Sequence, residues 1–211
     1  MPAPCSVRRL APIDPWQWLA GLLATALLAG CDGSGPAPHP LAGEWVGTVR
    51  QEVFLDGSLA SASDSEATIR FRDDGRLETF AGQPTVSYVQ SRLVEEQRCP
   101  QSGAESLLAA GAEVTLRCDE GVEARFTTTE FRQDPDFLLV LEMTINATPW
   151  PDAVGTGQGR GAESYRIVDD RLKVSIEIDL RFEHDNEETV TSRQVVSGTL
   201  LRPRSRHQTG A

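Results

Sequence analysis

From Arg171 to His184 the chain reads RLKVSIEIDLRFEH. Leu172, Val174, Ile176, Ile178, Leu180 and Phe182 share one parity, while Arg171, Lys173, Ser175, Glu177, Asp179, Arg181 and Glu183 share the other. A period of two places each set on its own face, so the segment is a long strand with one dry and one wet side. DFLLVLEMTINA repeats the pattern through Phe137, Leu139, Leu141, Met143 and Ile145. EATIRFRDDGRLETF reads as a hairpin turning at Asp74-Gly75, and ESYRIVDDRLKV as another turning at Asp169-Asp170. EWVGTVRQEVF predicts a first strand and ETVTSRQVVSGTLL a last one, with PTVSYVQSRLV, AEVTLRC and VEARFTTTEF as three more between them. A short helix is expected in GAESLLAAG. The count is about nine or ten strands. The fold class is all-β: an antiparallel meander, either closed into a single barrel or stacked as a β-sandwich.

The N-terminal region departs from this pattern. Arg8 and Arg9 precede an apolar block from Trp16 to Gly30, interrupted by Gln17 and Thr25. At about 15 residues the block is short of the ~20 that a spanning helix needs, and a basic start with a small-residue end makes a secretory leader. The block closes on Leu28-Ala29-Gly30-Cys31, which resembles the lipobox of bacterial lipoproteins. That resemblance implies diacylglyceryl transfer to the Cys31 thiol, cleavage between Gly30 and Cys31, and acylation of the new amino group. The chain is then held at a membrane by its lipid, facing the periplasm. Asp32 after the cysteine leans towards inner-membrane retention, and the choice between inner and outer membrane stays open. The expected organisation is a leader at 1–30, the lipidated cysteine and a Gly/Pro-rich tether at 31–40, one β domain at 41–203, and a basic tail at 204–211.

The leader carries two basic residues and one acid, leaving 18 basic against 30 acidic residues in the mature chain. Such an acidic surface excludes nucleic acid as a partner and disfavours broad contact with anionic headgroups. Cys99 and Cys118, the cysteines left over, read as a disulfide in an oxidising compartment, closing a loop of about 20 residues.

Gly43-x-Trp45 in LAGEWVGTV resembles the G-x-W signature on the first strand of lipocalins and related calycin barrels. In that family the tryptophan closes the barrel base, and an arginine after the last strand packs across it; Arg202, following SGTLL, occupies that place here. The family's T-D-Y motif and the helix after its barrel have no counterpart in this sequence. The resemblance implies a lipocalin-like barrel, and the alternation along strands 137–145 and 172–182 makes Phe137, Leu139, Leu141, Met143, Val174, Ile176, Ile178 and Leu180 the candidate lining of its interior.

No catalytic motif emerges. His39, His184 and His207 fall in the tether, a hairpin tip and the tail; no G-x-S-x-G or H-E-x-x-H occurs. DDG at 73–75 and DPD at 134–136 read as turns rather than a calcium cage. GTGQGRG at 155–161 lacks the G-K-[ST] ending of a phosphate loop, and with ATPWPDAV it reads as a long connection over 147–161, with Trp150 either a lid or partner contact or packed on the domain's own side. The expected function is therefore non-catalytic, without cofactor or metal: a membrane-anchored envelope lipoprotein binding a small apolar or amphipathic ligand inside its barrel. The alternative is a structural or assembly role, contacting another envelope protein through its loops. A cavity of ~300 Å³ or more favours ligand binding, and a filled core favours the alternative.

Overall fold

A computed structural model describes residues 37–96, 104–118, 122–150, 153–184 and 189–203. Cys31 and the leader, Cys99, and the tail from 204, with His207, lie outside the described residues. Pro38–Ala211 forms one compact unit. It contains β1 (Gly43–Leu55), β2 (Ser58–Phe71), β3 (Leu77–Phe80), β4 (Gln83–Pro84), helix α1 (Tyr88–Glu96), a 3₁₀ turn at Ala104–Leu107, and β5 (Glu113–Arg117). β6 (Glu123–Arg132), β7 (Phe137–Trp150), β8 (Ala153–Val168), β9 (Arg171–His184) and β10 (Thr189–Leu201) follow. No helix among the described residues is long and apolar enough to cross a membrane.

All ten strands belong to one antiparallel sheet in the order β4-β3-β2-β1-β10-β9-β8-β7-β6-β5. The ladder ends at β4 on one side and at β5 on the other, so neither the expected closed barrel nor the two sheets of a sandwich is formed. The sheet curls nonetheless. Three strands separate β2 from β8, which would place them about 19 Å apart in a flat sheet. The Phe71 and Tyr165 rings, one from each, have centroids 5.2 Å apart. The end of β6 also reaches the β2–β3 turn, where the Gln133 side chain donates to the Asp74 carbonyl.

Register across the sheet sorts the side chains into rows. One inner row runs Gln51, Val196, Ile176, Glu163, Leu139, Phe131, and the next runs Val49, Gly198, Val174, Tyr165, Phe137. Their hydrophobic members pack in one core or against it. The hairpin turns at Asp169-Asp170, both in the left-handed region, and at Asp74-Gly75 stand where the sequence puts them. A longer hairpin joins β1 to β2 through Asp56-Gly57. Its second arm begins at Ser58 rather than Glu66, because Ser58–Glu66 is exposed throughout and carries no apolar alternation to reveal it.

Three expectations are corrected. PTVSYVQSRLV is not a strand: residues 88–96 form α1 inside the curl of the sheet. The connection expected over 147–161 is instead the end of β7, with Trp150, and the first half of β8. The tether stops short of residue 40. The His39 amide donates to Asp73 O at 2.9 Å, His39 O accepts from the Ala42 amide at 2.8 Å, and Pro40 O accepts from Arg202 at 2.7 Å. In GAESLLAAG the expected helix is a single 3₁₀ turn.

Candidate ligand-binding cleft

Helix α1 is what divides the interior. Its start is fixed by Ser87, whose Oγ accepts from the Gln90 amide at 3.0 Å, an N-cap bond. Thr85 Oγ1 supports that turn by bonding the Ser87 carbonyl at 2.7 Å and pairing with Ser91 Oγ at 2.5 Å. Val89, Leu93 and Val94 are wholly buried. Val89 and Leu93 can approach β8 because Gly159 and Gly161 occupy successive inner positions there, while Gly157 beyond them admits Phe182 and Ile145. A Cβ on Gly161 would lie 2.2 Å from Val89 Cγ1, and one on Gly159 would lie 3.3 Å from Leu93 Cδ2. Gly159 and Gly161 of GTGQGRG are thus a slot for a helix, in a strand and not the expected flexible loop.

Beside that slot a carboxylate is buried. Glu163 projects inward from β8 with 0% exposure, and Oε2 accepts from the Tyr88 amide at 2.7 Å and the Val89 amide at 3.1 Å. The first amides of a helix carry partial positive charge and lack intrahelical partners, so a carboxylate fits there. Burial works against the charge. It pushes the Glu163 carboxyl up to about 7, despite the opposing pull of those amides and of the nearby Ser87 and Tyr165 hydroxyls. Glu163 Oε1 and Tyr165 Oη are both buried and neither makes a hydrogen bond. Burial and the neighbouring Glu163 carboxyl raise the Tyr165 phenol well above its ordinary value.

With α1 laid over β7–β9, the inner face of β1, β2 and β10 is left uncovered only around Gln51 and Ser65, beside the buried Val49 and Val196. A cleft of about 700 Å³ opens there, between Val49, Phe80, Pro84, Tyr88 and Val196 as apolar walls and Thr85, Ser91, Arg92 and Glu95 as polar ones. It meets a more enclosed chamber of about 200 Å³ at Gln51 and Arg92. Val53, Leu93, Ile178 and Leu180 wall the chamber, with Gln194 and Ser192 beside them. Register explains this polar group. Gln51 lies opposite Val196 and Val53 opposite Gln194, so the two glutamines are diagonal neighbours on the inner face. Among the described residues neither carboxamide has a hydrogen-bond partner. Arg92 is held by Glu95 at 2.6 Å.

Phe137, Leu139, Leu141, Met143, Val174, Ile176, Ile178 and Leu180, the residues expected to line a cavity, are all buried in the core. Ile178 and Leu180 border the chamber; Val174 and Ile176, with Phe137, Leu139 and Leu141, are packed and line neither space. Sequence reading missed Gln51, Gln194 and Ser192. Their signal was two glutamines standing at inward parity on the first and last strands.

At the opposite end of β1, the structure brings Gly43, Trp45 and Arg202 together. The Arg202 guanidinium lies 4.4 Å from the Trp45 ring centroid, a cation–π distance, and the indole N–H donates to Leu41 O at 2.8 Å. Gly43 has φ +103°, and a Cβ there would sit 3.5 Å from Arg202 Nη1. Cys118 is buried at the end of β5, and the Cys99 half of its expected pair lies outside the described residues. His184 ends β9. Among the described residues no cluster of three or more His, Cys, Asp or Glu could hold a metal. Comparison with family models, with curated proteins and with solved structures returns no match.

Proposed function

We propose that this protein is a lipid-anchored envelope lipoprotein that binds a small amphipathic molecule, without catalysis, in the cleft between α1 and the inner face of β1, β2 and β10. One observation carries the reading: Gln51 and Gln194 turn inward where the cleft meets its chamber, between walls that are polar and apolar in similar measure, and among the described residues they find no protein partner there. Half-buried carboxamides are retained at such positions at a cost unless something hydrogen-bonds to them. A ligand with an apolar body and a head bearing hydrogen-bond donors and acceptors meets both requirements. The volumes suit a small lipid or lipid fragment. Trp45 beneath Arg202 supports kinship with lipocalin-like barrels at the base of the sheet, in a version whose ladder is open. In this reading Cys31 carries the lipid and the domain faces the periplasm.

The test is native mass spectrometry of the full chain, released from detergent after incubation with a bacterial lipid extract. A discrete adduct is expected beyond the covalent lipid, and it is lost when Gln51 and Gln194 are both replaced by leucine. An adduct that persists in the double variant places binding elsewhere; no adduct in either protein removes the reading.

A further inference from the structure

Glu163 has no role in the cleft's lining, yet it is the group that fixes the cleft's wall. Tyr88, Ser91, Arg92, Leu93 and Glu95 of α1 all border the cleft or its chamber. The side-chain atom holding the start of that helix from the sheet is Glu163 Oε2, through the Tyr88 and Val89 amides. We propose that Glu163 is a proton-operated latch on α1: its neutral carboxyl seats the helix over β7–β9, and loss of the proton loosens the helix and widens the cleft. The proposal deepens the binding reading and rests on it for its consequence, though not for its mechanism.

The geometry favours the neutral form in the closed state. A protonated carboxyl keeps Oε2 as an acceptor for both amides and gives Oε1 a hydrogen to donate. Tyr165 Oη, the buried hydroxyl two residues along the same face, makes no hydrogen bond and can donate as well as accept, so it favours neither form. Ionised, Oε1 is a buried charge that makes no hydrogen bond, and the two amides at Oε2 with the nearby Ser87 and Tyr165 hydroxyls do not offset its lost hydration. Lifting α1 admits water to the carboxylate, and the proton leaves to that water.

No other charge settles the balance. From β8 the titratable neighbour is Tyr165, and from α1 it is Tyr88, whose phenol burial raises. Arg92 and Glu95 pair with each other on the helix at the cleft. In register on β7 and β9 stand Leu139 and Ile176. The inner row continues to Val196 and Gln51, with no ionisable side chain. The carboxyl's place at about 7 sets where the latch operates.

The test is hydrogen exchange of the full chain in detergent between about pH 5 and about pH 8.5, corrected for intrinsic exchange rates. Amides of 88–93 are expected to lose protection on the order of 100-fold across that range, while those of β9 and β10 do not. Glu163→Gln, an isostere of the neutral form, is expected to keep them protected at both ends. Should that variant fold poorly, the ¹³C shift of the wild-type Glu163 carboxyl serves instead, with a midpoint near neutrality supporting the latch. Protection that is flat with pH, or a pH response unchanged in Glu163→Gln, overturns it. Fluorescence of 1-anilinonaphthalene-8-sulfonate, an amphipathic probe, separates the two readings. Exchange that follows pH without probe binding upholds the latch and removes the binding role. Probe binding with flat exchange does the reverse.

Discussion

At the scale of single residues, Glu163 makes a claim about stability and pH. Its carboxyl stands at about 7 when folded, against 4.5 for an ordinary glutamate. Between those values the folded chain holds a proton that the unfolded chain has released, so stability falls as pH rises. The group's contribution is full below about 4.5 and lost by about 7, a span worth roughly 3 kcal/mol. Urea unfolding of wild type and Glu163→Gln across this range is expected to give a difference that grows in the variant's favour and levels off above neutrality. A constant difference would show that ionisation of Glu163 has no energetic role. Gly161 makes a separate claim, about space. Its missing Cβ would sit 2.2 Å from Val89 Cγ1. Gly161→Ala is therefore expected to destabilise by about 1–3 kcal/mol through overpacking. Adding Val89→Ala removes the clashing methyls, so the double variant should recover part of the loss. A strictly additive cycle would mean that α1 does not sit in the glycine slot.

At the scale of elements, α1 shows what patterning conveys and what it conceals. The long strands were legible because β9 keeps strict alternation over six apolar positions and faces solvent on its other side. V-S-Y-V imitates that alternation with β-branched and aromatic residues, so residues 84–94 read as a strand as well. The contrary signal was present: Ser87-x-x-Gln90 has the spacing of a capping box, and Ser87 Oγ does accept from the Gln90 amide. The glycines of β8 were misread for a related reason. Four glycines in seven residues suggest a loop until the helix that packs on two of them is known, and that helix had been assigned to the sheet. The cleft was hidden by the same error, since it is the space that α1 leaves over β1, β2 and β10. Ser87→Ala tests the element directly. Loss of the cap is expected to cost about 1 kcal/mol and to lower exchange protection in α1 before it lowers protection in β9. Uniform loss across both elements would mean that the helix has no independent opening.

At the scale of the whole molecule, charge and attachment can be set against each other. Residues 31–211 carry 18 basic and 30 acidic residues, so an anionic bilayer repels them as a whole. The described fold offers no helix able to span that bilayer. The attachment proposed through Cys31 would not depend on charge, because each buried methylene of an acyl chain contributes ~0.8 kcal/mol irrespective of ionic strength. Two signatures follow. Wild type is expected to sediment with membranes equally at low and high salt, where an electrostatically held protein would wash off. Cys31→Ser is expected to leave the membrane fraction once its leader is removed, or to remain as an uncleaved precursor of higher mass. The folded domain is expected to survive in either case, since among the described residues the ties that begin it at His39 and Pro40 run to Asp73 and Arg202. Fractionation with mass analysis of the N-terminus separates the outcomes. A Cys31→Ser protein that is correctly cleaved and still sediments at high salt would show that the fold itself binds the membrane. The anchor would then have to be sought on the sheet rather than at the cysteine.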